Sequence, residues 1–556
     1  MTIGIDLGTT NSLVAYLDGD QPTLIPNSRG MVRTPSVVGV DQTGSFLVGV
    51  AAANQAMNHP ERTVKAVKRA MGLRKTLPLG AGRLSPEEVS AAILKVLREN
   101  ASHFLGEEQT SAVITVPAHF DDHQRFATYE SALLAGFDRV ALLNEPTAAA
   151  LPYAARDTSR ERIVVFDFGG GTLDITALER DGGEFAVRAT TGDGRLGGLD
   201  IDQVVADAIL RRIARQLGES TAEIPHVQRI ALQLAEQTKI DLSELTHTEA
   251  GVPFLLPGVN PAHVNISMER SELEEMIAPF MVRARDLTRS AVEDAGFNRS
   301  GFDRLVLAGG SSRIPAVRSM LEAEFGVSTA SRINPEEVIA TGAAMFASSG
   351  DRSADTFTLR DVLSGTLAIE LADGSCVPLV RKNQPLPVRQ SRLFTTVSDS
   401  QPEAEIHLVQ GNHGQAWKNR SLGRFLLKDI REAPQGAPRI AVTIDVSADG
   451  IVTVRAGDRD TGAWSEMVAQ ARPEPTTQTI TGGREEYARS LVRRSRGVRR
   501  FAEPALREEL DEVLSIMEEG FHAAGEDMIT VLETLLREVV ISTTIAWQQE
   551  RHHAAS

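Results

Sequence analysis

The sequence predicts a multidomain chain: an α/β domain built on a duplicated ββ unit, then a β-sandwich, then a short helical region. Three observations lead to this expectation. At 556 residues the chain is too long for a single hydrophobic core. Two segments of its first third share one plan, an apolar strand, an aspartate, a glycine–threonine corner and a second strand, at Ile3 to Leu17 and at Val164 to Thr176. Past about residue 350, helical periodicity gives way to short alternating strands with Asp-Gly turns, and then to helix-forming composition.

The second repeated segment, V-V-F-D-F-G-G-G-T-L-D-I-T, places Asp167 before and Asp174 after a corner made of Gly169, Gly170, Gly171 and Thr172. Consecutive glycines allow several backbone N–H groups to point at one centre, which makes a concave anion nest. A polyphosphate fits such a nest, and two nearby acids suit Mg²⁺ held mostly through its waters. Because I-T-A-L-E continues as a strand and G-x-x-x-x-G-K-[ST] is missing, the corner is not a P-loop. Read alone, the glycine triplet is equally a surface turn. Its pairing with I-G-I-D-L-G-T-T-N-S-L narrows the choice, since two facing corners would set Asp6 and Asp167 on opposite sides of one metal–phosphate site. The Thr9 and Thr10 hydroxyls would then point at the phosphates.

Bulk composition restricts the function classes. A hydrophobic share of 42% and a charged share of 24% are ordinary for a globular protein. The net charge of -16 argues against broad nucleic-acid binding, which needs clustered Lys and Arg. The lone Cys376 excludes an internal disulfide and reads as a small buried strand hydrophobe in a reducing compartment. Met1 leads straight into a strand with no basic region, and no apolar window of about eighteen residues follows, so no membrane partner and a cytoplasmic location are expected.

Taken in order, Val64 to Gly72 is a basic helical stretch with Lys65, Lys68 and Arg69, whose plain reading is a solvated face. The strand Ala112 to Pro117 leads to a helix opened by Asp121 or Asp122 and stopped at Gly136. A further strand ends in N-E-P-T-A-A-A, where Pro146 starts a helix and Glu145 stands at a strand end, the place where α/β folds set catalytic groups. From Val227 to Ser243, Val227, Ile230, Ala231, Leu234, Ala235 and Thr238 share one helix side, and Glu236, Lys239 and Ser243 share the other. In L-V-L-A-G-G-S-S-R-I-P, the Gly309-Gly310 corner lets a flat ring approach the backbone, and Arg313 can stack on it.

The order of Asp6-Leu-Gly-Thr, Asn144-Glu-Pro-Thr, Asp167-Phe-Gly-Gly-Gly-Thr, Glu236-x-x-Lys and Gly309-Gly-Ser-Ser-Arg resembles the ATPase domain of the 70-kDa heat-shock (DnaK-type) chaperones, over Met1 to Ser348. That resemblance implies an actin-like, duplicated RNase H-like fold that uses ATP/ADP and Mg²⁺, with K⁺ as a further candidate. It places Asp6, Asp167 and Asp174 around the metal, and Gly8, Thr9, Thr10, Asn11, Gly169, Gly170, Gly171 and Thr172 around the phosphates. Lys68 would position the attacking water beside Glu145, with Asp167 and Thr172 completing the catalytic group. Gly198, Glu236, Lys239, Ser243, Gly309, Gly310, Ser311 and Arg313 would hold the adenosine side, and Pro117 and Arg125 would relay nucleotide state to the next domain.

The same resemblance divides the chain into an ATPase domain over 1–350, a linker over 351–365, a β-sandwich peptide-binding domain over 366–472 and a helical lid over 473–556. Asp373-Gly374 and Asp449-Gly450 are hairpin cues. Ile369, Phe394, Ala404 and Ile406 would line a groove for an extended apolar peptide, with Ala372 and Val397 over it; plain core packing is the alternative. The tail would lie as a shortened lid over that groove, with Pro504 opening a helix, Gly520 and Gly525 breaking it, and Arg493, Arg494, Arg496, Arg499 and Arg500 on a solvated face.

The chain departs from the family pattern in several places. Val362-Leu363 is followed by Ser364-Gly365 rather than a continuous aliphatic run, so coupling between domains is expected to be weaker or differently wired. Ala141 and Ala404 replace the arginine that meets a J-domain partner and a larger pocket hydrophobe. A short segment between Gly72 and Val113 adds to a likeness with the short bacterial HscC-like branch. The implied function is an ATP-dependent chaperone for unfolded or extended peptide clients, with a J-domain co-chaperone and a nucleotide-exchange factor as partners, and neither nucleic acid nor membrane. A sugar kinase, a filament-forming actin relative and a peptide-binding regulator uncoupled from ATP are the alternatives.

Overall fold

The computed structural model describes residues 1–154, 160–256, 262–298, 301–330, 333–348, 358–448, 450–468, 483–519 and 526–555. Two sheets of the same design form the first part. In one, the meander Ile3–Asp6, Asn11–Asp18 and Gln21–Leu24 is antiparallel, and Ser111–Val116 and Arg139–Asn144 add in parallel beside the first strand. In the other, Glu161–Phe168, Leu173–Asp181 and Glu184–Asp193 form the meander, and Arg304–Ala308 and Thr329–Ala330 add in parallel. The central strands are buried along their length, because helices cover both sheet faces. The two halves touch closely: a Cβ on Gly342 would come within 1.8 Å of the Ala148 carbonyl oxygen.

The helix Asp122–Leu134 begins at Asp121, whose side chain caps Gln124 in a reciprocal capping box, and is followed by Gly136 at φ 95°. The stretch read as one basic helix is instead the strand Thr63–Lys65 and the 3₁₀ turn Val67–Ala70, separated by Ala66 at φ 52°. This break turns Lys68 into the interior while Lys65 stays exposed.

Four-stranded sheets ordered Cys376–Val380, Leu367–Glu370, Ala404–Gln410, Arg420–Leu427 and Val388–Phe394, Ile440–Val446, Val452–Asp458, Trp464–Val468 pack face to face over one core. Cys376 is half-buried on an edge strand. Asp449, Gly520 and Gly525 lie outside the described residues, as do 351–357 of the expected linker. No helix among the described residues is long and apolar enough to cross a membrane.

Two expectations about how the parts meet are corrected, and a third is made specific. The linker docks without an aliphatic run: Thr358–Arg360 adds in parallel to Glu184–Ala186 at the edge of the second of the two like sheets. Val362 then enters a core of that two-sheet part, whereas Leu363 enters the sandwich core. The docking run therefore lies upstream of Val362-Leu363, and backbone pairing at a sheet edge requires no aliphatic run.

The helical tail does not cover the sandwich. Helices Arg484–Val498, Pro504–Glu519 and Glu526–Ala555 share one apolar core with Pro86–Leu105 and Asp122–Leu134 of the two-sheet part. Gly497 permits the approach, since a Cβ there would lie 2.4 Å from Leu134 Cδ2.

Of the tail arginines, Arg493, Arg496, Arg499 and Arg500 are exposed as expected, but Arg494 leaves that face and is buried. Arg494 bonds Glu130 at 2.5 and 2.6 Å and reaches Glu87 at 3.4 Å, Arg493 bonds Glu88 at 2.6 Å, and Arg537 pairs with Asp122. Burial pushes Glu130 up to about 7, against the pull of Arg494. Arg494→Ala leaves Glu130 and Glu87 buried without their cation, and deleting one partner of a buried pair costs about 3–5 kcal/mol. The expected outcome is a lower urea midpoint and a tail open to limited proteolysis; an unchanged midpoint with a protected tail would contradict it.

Candidate functional site

The two glycine–threonine corners meet at the mouth between the two sheets. A Cβ on Gly170 would lie 2.1 Å from Thr10 Oγ1, and one on Gly171 would lie 2.4 Å from Thr9 Oγ1. No side chain fits at either position. The Gly198 N–H donates to the Gly169 carbonyl at 3.0 Å, which seats the helix Gly198–Leu217 directly behind the second corner. On the far side, Gly309 holds φ 78° and a Cβ there would strike the Phe168 carbonyl oxygen at 2.4 Å.

These contacts enclose a cleft of about 920 Å³, a size within the usual range for small-ligand sites. Its floor carries Asp6, Asp167, Lys68 and Glu145; its corners present Gly8, Thr9, Thr10 and Asn11 opposite Gly169, Gly170, Gly171 and Thr172. Gly198, Glu236, Lys239 and Ser243 line one wall, and Gly309, Gly310, Ser311 and Arg313 another. Lys239 is buried in this wall, with its ammonium 2.7 Å from Asp202. Ser311 Oγ donates to the Gly169 carbonyl at 2.9 Å, and Arg313 donates to Asn334 at 2.6 Å.

Asp174 sits behind the cleft. It is fully buried in register with Asp167, and its Oδ1 lies 2.8 Å from His119 Nδ1 while its Oδ2 has no protein partner. Pro117 is buried at the end of the strand Ser111–Val116, and Arg125 is the one of the pair that reaches the domain boundary: it donates to Asn144 at 2.6 Å, and Asn144 bonds Asp361 just after the docked linker strand. The expected groove residues divide. Ile369 and Ile406 are closed into the sandwich core, Phe394 and Ala404 are half-buried against it, and Ala372 and Val397 are exposed.

The electrostatics of the floor follow from burial of like charges. Burial and the neighbouring Glu145 push Asp6 up to about 7. Burial, with Glu145, Asp174 and Asp6 around it, lifts Asp167 well above the usual carboxylate range. Glu145 is also raised by burial, against the Lys68 ammonium paired with it. For His119, burial works downward, but the charge and hydrogen bond of Asp174 outweigh it and the imidazole is raised. A donor set of buried carboxylates in excess over Lys68, with one carboxylate oxygen unpartnered, suits a divalent cation. The Gly/Thr corners suit the phosphates beside it.

A sequence model of the Hsp70 protein family matches residues 2–79 and 78–526. The chain belongs to the Hsp70 family. Members of the Hsp70 family are ATPases that bind ATP or ADP, usually with Mg²⁺, and that engage unfolded peptides and co-chaperones. This Hsp70 also brings residues to the cleft that sequence reasoning passed over. Arg69 Nη2 and Nε bond the Gly171 carbonyl at 2.8 and 3.1 Å, and its Nη2 bonds Asp200 at 2.5 Å, which ties one half of the domain to the other. Arg33 pairs with Glu336 at 2.8 Å across the rim. Only the adjacency of Arg69 to Lys68 hinted at the first; His119 and Arg33 lie in irregular segments whose partners are far along the chain.

The raised Asp6 carboxyl binds its proton more tightly in the folded chain than its ordinary value of 3.8 allows. Its contribution to stability is therefore favourable at low pH and is lost as pH climbs from about 4 through about 7. Without nucleotide, Asp6→Asn should raise stability near pH 8 by roughly 1–3 kcal/mol. Near pH ~5 the gain should shrink. Thermal unfolding of both chains at the two pH values checks the sign, and a gain that grows on acidification would contradict it.

Proposed function

We propose that this Hsp70 is an ATP-driven chaperone that grips extended apolar peptide segments on its sandwich and releases them under control of ATP hydrolysis in the cleft. The observation that supports this most is the convergence of Asp6, Lys68, Glu145, Asp167 and Thr172, drawn from distant parts of the chain, on one cavity floored by Gly/Thr corners. In this reading the corner amides and the Thr9, Thr10 and Thr172 hydroxyls hold the phosphates, and Asp6, Asp167 and Asp174 hold a hydrated Mg²⁺. Such an ion neutralises charge on the transferred phosphoryl group. Lys68, fixed by its ion pair with Glu145, orients the attacking water. Phosphoryl transfer to water needs positioning and charge neutralisation more than covalent chemistry. Glu236, Lys239, Ser243, Gly310 and Arg313 face the adenosine side.

On the sandwich, Phe394, Ala404 and Val397 offer the accessible side of the peptide groove, and Ile369 and Ile406 lie beneath it. The docked linker strand and the Arg125–Asn144–Asp361 contacts give the physical route by which the cleft and the sandwich would be coupled, which favours a coupled chaperone over a regulator that ignores ATP. Ala141 is buried in the same apolar core as Val362, so a J-domain partner would have to engage without an arginine at this point. The changed linker and short 72–113 segment support placement near the HscC-like branch.

Lys68→Ala and Thr172→Ala should each lower ATP turnover by about 10²–10³-fold, the usual loss when one donor to developing charge is removed. Phosphate release from the purified variants measures this. Turnover equal to that of the unsubstituted chain would refute the assignment.

A further inference from the structure

Strand alternation gives the sandwich two faces with different duties. Ile369 and Ile406 point into the core beneath the groove, so the next residues, Glu370 and His407, point out of the opposite face. There they meet. His407 Nδ1 lies 2.5 Å from Glu370 Oε2, and His407 Nε2 lies 2.8 Å from the Ser421 hydroxyl on the adjoining strand Arg420–Leu427. Arg424 donates to the same Glu370 oxygen at 3.1 Å. His407, at the centre of this polar chain across three strands, is buried, whereas Glu370, Ser421 and Arg424 on either side are half-buried.

The far end of the chain is the contact with the ATPase domain. The Ser421 carbonyl lies 3.4 Å from His123 Nε2, and neighbouring Arg420 pairs with Asp121. Asp121 and His123 form the start of the helix Asp122–Leu134. Arg125, in the same first turn, bonds Asn144, the residue before Glu145 at the cleft floor. A displacement of the two groove strands therefore has one hydrogen-bonded path to the residues that abut the ATPase domain.

We propose that Glu370, His407 and Ser421 are positioning residues that report occupancy of the peptide groove to the ATPase domain, by fixing the Arg420–Ser421 backbone against Asp121 and His123. The proposal rests on the coupled-chaperone reading above. His407 is buried with both ring nitrogens engaged, so it cannot shift away from Glu370 or Ser421 without leaving a buried polar atom unsatisfied. A shift of Glu370 or His407 as the groove fills is then passed to Ser421 rather than absorbed between the strands. An ATPase domain that holds Ser421 rigidly restrains the groove strands in turn, as reciprocity of coupling requires.

The test uses the full-length chain with a dye-labelled, leucine-rich heptapeptide as probe. Four quantities are read: basal ATP turnover, peptide affinity with ADP, stimulation of turnover by peptide, and acceleration of peptide release by ATP. Ser421→Ala removes one hydroxyl from a half-buried site and is expected to leave the first two unchanged while the last two fall by about five-fold or more, the lower end of ordinary coupling energies. Ser421→Thr, which restores a hydroxyl, should recover both. His407→Leu should reproduce the alanine variant. A Ser421→Ala chain that peptide stimulates as well as the unsubstituted one overturns this proposal alone. A loss of basal turnover equal to the loss of stimulation overturns it too, because that would mark a merely structural role. An unsubstituted chain that hydrolyses ATP but does not respond to peptide overturns the chaperone reading and this proposal with it.

Discussion

The organisation of the first part of the molecule depends on holding Asp6, Glu145, Asp167 and Asp174 together out of water. Carboxylates so placed repel one another and lose their hydration, which is why three of them are pushed upward together. Lys68 and His119 offset part of this, Lys68 from the 3₁₀ turn behind the strand Thr63–Lys65 and His119 from the loop before the helix Asp122–Leu134. The remainder is relieved by proton uptake at Asp6 and Asp167, and a cation bound there would relieve it in the same way. The glycines at 170 and 171 belong to the same arrangement, since the two corners would not approach across any larger residue.

Contacts from every other part of the chain converge on one helix, Asp122–Leu134. Its cap Asp121 meets Arg420 of the sandwich, Asp122 meets Arg537 of the tail, Arg125 reaches the linker through Asn144, and Glu130 meets Arg494. Acids at a helix start are favoured by its dipole, so the helix can carry this charge before any partner arrives. Arginine is the complementary choice for such sites because its planar fork stays charged and bonds a carboxylate in two places.

Much of the fold was legible because its signals are local. The repeated strand–Asp–corner plan, the Asp121 cap and the Asp373-Gly374 hairpin each lie within a few residues, and the structure places a meander, a helix start and a turn at those points. The cleft was legible from the order of its short motifs rather than from any one of them: read alone, Lys68 lies on a solvated face and the glycine triplet is a surface turn. What the sequence concealed was non-local. Nothing near Arg494 tells that Glu130, 364 positions away, will pair with it, so Arg494 was read on the same solvated face as its four exposed neighbours. Pairing of Thr358–Arg360 with Glu184–Ala186 is made by backbone, which leaves no mark on side-chain chemistry. The tail was expected over the sandwich because the resemblance fixed its identity without fixing its place.

The two contacts made with the ATPase domain differ in kind, and the difference bears on which of them can open. The tail shares a continuous apolar core with it, through residues such as Tyr487, Leu491, Leu536 and Val540, so separating the two exposes apolar surface to water. The sandwich meets it mainly through Arg420 with Asp121, Ser421 with His123, Asn383 with the Thr190 N–H and Lys382 with Asp294, with Ile451 alone of its described apolar side chains packed against the edge of that core. Polar contacts of this sort exchange for water at small net change in free energy. The sandwich contact is thus the one whose position a modest bias can shift. Since Val362 and Leu363 are consecutive yet belong to different cores, the chain between them is where such a movement must be taken up.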